Sequence, residues 1–67
     1  MVKLEALNKT IKDSGLKLGV IANRLHISRN GLWKKLHGIN GISLEDAQII
    51  SKALNLTDDQ KIDIFLP

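Results

Sequence analysis

The sequence predicts an all-α fold of five short helices packed into one compact domain. Three observations carry this. Apolar residues recur at three- and four-residue intervals almost throughout, and no segment alternates with period two over a useful length. Glycine, serine and threonine punctuate the chain where short helices would start and stop. With 67 residues, 43% of them hydrophobic, and no long polar run, there is room for one domain, 1–67, and one modest core.

The elements follow in order. Leu4, Leu7 and Ile11 share a helical face, so residues ~3–13 read as an amphipathic helix, stopped by Gly15, which can take the left-handed conformation. A second helix runs from about Leu18 to Leu25 and buries Leu18, Ile21, Ala22 and Leu25. A third starts after Ser28 and ends near Leu36, with Leu32 and Leu36 inward. Gly38 and Gly41 bracket a loop. Ser43-Leu-Glu-Asp46 forms a capping box, with Asp in place of the preferred Glu or Gln, and opens a helix over ~44–54. Its predicted inner stripe is Leu44, Ala47, Ile50 and Leu54. Thr57-Asp-Asp-Gln60 is a second box, opening a last helix over ~58–65.

Several function classes find little support. The absence of cysteine excludes disulfides and thiolate metal sites. No apolar stretch is long enough to span a membrane, and no signal-peptide apolar region is seen. His26 and His37 stand alone, without a nucleophile at readable spacing, a glycine-rich phosphate loop or a metal-ligand cluster. The chain therefore reads as a non-enzyme without a cofactor. Asp58 and Asp59 read as helix-start charge. Asn8-Lys-Thr10 and Asn55-Leu-Thr57 match the glycosylation pattern, which is common by chance; Asn55 and Thr57 fit a helix-ending turn and a cap.

Charge is unevenly distributed. The net charge is +3. Residues 1–38 hold eight Lys and Arg against two acids, a balance of +6, and residues 39–67 hold two Lys against five acids, a balance of −3. A basic half and an acidic half suggest one face for a polyanion and another turned away from it.

The stretch Leu18 to Gly38, LGVIANRLHISRNGLWKKLHG, reads as two short helices around a tight turn, the layout of a helix-turn-helix. Ala22 is small enough to let the next helix cross closely. His26 occupies the corner, Ile27 plugs the core between the helices, and Ser28 accepts a hydrogen bond from an early N–H of the third helix.

The segment from about Leu16 to Leu54, with SRNGLWKKLHG, a short loop and then SLEDAQIISKALNLT, resembles the lambda-repressor/Cro-like helix-turn-helix domains of phage and bacterial regulators. The ending DDQKIDIFLP also looks like the tails of small phage Cro-type proteins. The resemblance implies a lambda-repressor-like fold and a DNA-binding transcriptional regulator in the bacterial cytoplasm. On that pattern Arg29, Asn30 and Lys34 face base edges in the major groove. Arg29 suits guanine O6 and N7, and Asn30 suits adenine N6 and N7. Lys17, Ser28, Lys35, His37 and Asn40 are then candidates for the DNA backbone. Two positions depart from the pattern. Leu18 stands where the family commonly has Gln against phosphate, and His26 stands where the corner is most often Gly.

Trp33 lies between inward Leu32 and outward Lys34, so at least half of it is expected to be exposed. It reads as packing at the core's flank, as a contact with sugar, phosphate or a thymine methyl, or as a protein-binding contact. Ile62, Phe65 and Leu66 either close the core over the first helix or form a protein contact. The resemblance implies a homodimer on a palindromic operator for the latter; docking on a larger repressor uses the same edge. The alternative function is thus a phage antirepressor acting through a DNA-binding repressor, with a stand-alone antitoxin-like partner more remote.

Overall fold

Five helices joined by short connections make up the computed structural model, which describes residues 2–66. They are α1 (Leu4–Ser14), α2 (Leu18–Arg24), α3 (Arg29–Leu36), α4 (Leu44–Leu54) and α5 (Asp58–Phe65). No strand occurs among the described residues.

Local chemistry sets most of the boundaries. Gly15 ends α1 at φ +76°, its N–H bonded to the Lys12 carbonyl. Such a φ is easy for glycine and strained for most residues. Ser43 and Asp46 form the reciprocal box that starts α4, and Thr57 and Gln60 do the same for α5. Each box satisfies N–H groups that a helix start leaves without partners. Asn55, left-handed at φ +54°, closes α4.

The α2–α3 connection is the tightest. The Leu25 N–H bonds back to Ile21 and Ala22, and the Ile27 N–H reaches the same Ala22 carbonyl at 3.1 Å. Between them His26 takes φ +58°. Ser28 Oγ then accepts from the Gly31 N–H at 3.0 Å and starts α3. Ile27 is half-buried against the core, as a plug between the two helices would be.

The core runs through Leu7, Ile21, Leu32 and Ile50, all fully buried, with Ile11, Ala22, Leu25, Leu36, Leu56 and Ile64 around them. α2 packs on α3 and α4, while α1 bridges α3 and α5. Asn8 ties α1 to the end of α3, its Nδ2 donating to the carbonyls of Leu4 (2.9 Å) and Leu36 (3.0 Å). It thereby satisfies a carbonyl that the end of α3 leaves without a helical partner. The Lys3 N–H donates to the Ile64 carbonyl at 2.8 Å.

Some apolar positions differ from the expected stripes. Leu44 is 78% exposed, and Ser51 takes a buried place on α4 beside Ala47 and Ile50. The cause is positional. Leu44 is the first residue after the Ser43 cap, one turn before the point where α4 meets the core. Leu4, Leu18 and Leu54 are half-buried at the core's edge.

The left-handed corner carries a testable cost. A non-glycine residue in this region is destabilised by about 1–2 kcal/mol. His26 is exposed. His26→Gly is therefore expected to stabilise the domain by about 1 kcal/mol, part of the relief being offset by the entropy of the unfolded glycine. Urea unfolding is expected to show a higher midpoint at unchanged slope.

Candidate nucleic-acid interface

α3 presents its inner face, Leu32 and Leu36, to the core and its other face to solvent. Arg29, Trp33 and His37 follow one another at four-residue spacing along that outer side, with Asn30 and Lys34 alongside; all five are exposed. The three residues expected to read bases, Arg29, Asn30 and Lys34, therefore share one accessible surface.

Arg29 passes close to α2. A Cβ at Gly19 would lie 3.5 Å from Arg29 Cδ and 3.8 Å from Cγ, so the glycine leaves the space beside the arginine's methylenes open. Leu18, Arg29, Asn30 and Trp33 line an open hollow of about 410 Å³. Among the described residues, Lys17, Arg24, Arg29 and Lys34 have no acid within ion-pairing distance. The same holds for Lys9, Lys12 and Lys52, whereas Lys3 pairs with Asp63 at 3.5 Å and Lys61 with Asp58 at 3.8 Å.

Trp33 is 45% exposed. Its indole stacks on the His37 ring, centroids 4.0 Å apart and planes 19° from parallel. His37 Nδ1 lies 2.8 Å from the Trp33 carbonyl oxygen, which can only accept. That nitrogen therefore donates, fixing the ring over the indole. Of the two ring nitrogens only Nε2 remains for an outside contact. Ser28 is likewise engaged, as the cap of α3. Lys17 stands exposed at the start of α2, and Asn40 is exposed in the α3–α4 loop.

Lys35 is a correction. The family resemblance offers it to the DNA backbone, but its Nζ donates to Asp46 Oδ2 at 2.9 Å and to the Gly41 carbonyl at 3.0 Å, and both side chains of the pair are largely buried. The ammonium pins the α3–α4 loop to the start of α4. Burial pushes the Asp46 carboxyl upward. Hydrogen bonds from Lys35 and from the Ser43 N–H, together with the lysine's charge, outweigh it and hold the group below its ordinary 3.8.

A second surface lies between α4 and α5. Leu44, Ile62 (53% exposed) and Leu66 (53% exposed) stand around a groove of about 370 Å³, with Ala47 and Phe65 in its wall and Lys52 and Lys61 beside it. Of the C-terminal apolar residues, Ile64 enters the core, Phe65 packs against it half-buried, and Ile62 and Leu66 stay outside. Sequence reasoning missed the contribution of Leu44. The capping box held the signal, because it makes Leu44 the first residue of α4.

Among the described residues no three His, Asp or Glu side chains gather as a metal ion would need, and no helix is long and apolar enough to cross a membrane. Comparison with protein families, curated proteins and solved structures found no match to this chain.

Two measurements check the Lys35–Asp46 junction. Lys35→Ala is expected to cost about 1–2 kcal/mol in chemical unfolding, since it strands a partly buried carboxylate. The folded pKa of Asp46 lies below its unfolded value, so its stabilisation is complete above pH 3.8 and is lost as the pH falls through the lowered folded value. Asp46→Asn is therefore expected to lower Tm at neutral pH and to flatten the acid decline of Tm below pH 3.8.

Proposed function

We propose that α2, its turn and α3 act as a lambda-repressor/Cro-like helix-turn-helix, and that the protein is a phage-type transcriptional regulator binding double-stranded DNA in the bacterial cytoplasm. The observation that carries this is the outer face of α3. It gathers Arg29, Asn30 and Lys34, with neither cation ion-paired among the described residues, on a helix whose start is fixed by a four-residue corner. The chemistry suits a groove edge. Guanidinium and amide groups match the paired acceptors and donors of purines, and free cations match phosphate. The charge balance of +6 over residues 1–38 and −3 over residues 39–67 supports the same orientation.

On this reading Lys17 and Asn40 contact the DNA backbone, with Ser28 and His37 contributing through whatever their internal bonds leave free. A homodimer formed through the α4–α5 groove would present two copies of α3 to a palindromic operator. The same groove favours a second reading, an antirepressor that docks on a DNA-binding repressor. Three large apolar side chains exposed around one groove are what a protein contact uses.

Fluorescence of the single tryptophan separates the two readings. DNA from the gene's upstream region is expected to change Trp33 emission, with affinity falling as salt rises by a log–log slope of about 0.9 per phosphate contact, and scrambled DNA is expected to bind less tightly. No response to either duplex would favour the antirepressor. Arg29→Ala is expected to lose about 10- to 100-fold in affinity for the preferred duplex and much less for scrambled DNA. Unchanged affinity would remove Arg29 from base reading.

A further inference from the structure

We infer that the hollow between Leu18 and Trp33 is a subsite for the 5-methyl group of thymine, beside the purine edge that Arg29 and Asn30 address. This rests on the DNA-binding reading above.

The argument begins with the composition of the hollow. Its walls are a leucine from the start of α2 and an indole from the middle of α3, and its polar margin is Arg29 and Asn30. The surface is thus apolar in the middle of an otherwise charged face. A phosphate seated between the two walls would be desolvated without a hydrogen bond in return, whereas a methyl group or a C–H edge would not. On the floor of the major groove the one apolar group is the thymine methyl.

One wall of the hollow is held in place. The His37 ring stacks on the indole and is itself bonded to the Trp33 carbonyl. The indole is thus ordered before binding, which lowers that part of the cost. The polar margin, Arg29 and Asn30, sets which neighbours are read. A methyl seated against Leu18 and Trp33 puts the adjoining base pair within reach of Arg29 and Asn30. The expected feature is a thymine next to a guanine or adenine. The hollow is open-sided and wider than a methyl group, so it takes the edge of a base step.

The test uses the full chain and a duplex enriched from a random library by the protein itself. Each thymine of the enriched sequence is replaced in turn by deoxyuridine, which differs only in lacking the methyl. Affinity is read by anisotropy of end-labelled DNA. One position is expected to weaken binding about fourfold, the value of one buried methyl. Trp33→Ala is expected to bind the thymine and deoxyuridine duplexes equally, and Trp33→Phe to keep part of the difference. Thermal unfolding checks that both variants fold. The half-exposed position of Trp33 makes this the expected result.

If every deoxyuridine duplex binds as tightly as its parent, or if Trp33→Ala keeps the full penalty, the subsite is overturned while DNA reading stands. If Trp33→Ala leaves DNA affinity intact but abolishes binding to a repressor protein, the hollow is a protein contact and the inference is likewise overturned. If no duplex is enriched, the DNA-binding reading itself falls, and the subsite with it.

Discussion

α3 is aimed by the few atoms between Leu25 and Gly31. The Ala22 carbonyl accepts the Ile27 N–H, His26 holds a left-handed φ, and the Ser28 hydroxyl caps Gly31. Together they set the angle at which α3 leaves α2, and with it the placing of Leu18 from one helix beside Arg29 and Trp33 from the other. The site is shared by two helices, so the angle between them matters as much as the identity of its side chains. Fixed geometry of this kind is what selective recognition requires, because a misplaced donor meets the wrong acceptor.

The other side of α3 is held by a different chemistry. Lys35, one residue from Lys34, turns inward to Asp46 and Gly41, while Lys34 remains outside without an acid partner. Two adjacent lysines thus do opposite work, one structural and one available to a ligand. The acid that receives Lys35 also completes the capping box of α4. A single carboxylate therefore starts one helix and anchors the loop arriving from another. Burial of that pair is tolerable because Lys35 Nζ and Asp46 Oδ2 are each hydrogen-bonded twice, and among the described residues no buried side-chain N or O atom lacks a partner.

Features governed by neighbours in sequence were legible, and those governed by packing were not. Gly15, Ser28, Ser43, Asn55 and Thr57 act within a few residues of themselves, and each stands where its chemistry indicated. The apolar face of α3 was equally plain, and its half-exposed tryptophan followed from the helical spacing. The outward Leu44, the inward Lys35 and the two-carbonyl bridge of Asn8 depend on how helices cross in space. Periodicity says which residues share a side of a helix. It does not say where along the helix the core begins, which is why Leu44 was placed on the inner stripe. The stacking of Trp33 on His37 has its signal in their four-residue spacing, although only packing settles that the two rings meet.

The bond from the Lys3 N–H to the Ile64 carbonyl closes the path of the backbone almost into a ring. α5 packs on α1, which packs in turn on α3, while α2 packs on α3 and α4. Release of α5 would therefore be felt in α1 and, through its buried Leu7 and Ile11, in the core beneath α3. The groove between α4 and α5 would come and go with the same motion, so that an occupant of it would also clamp residues 3 and 64 together.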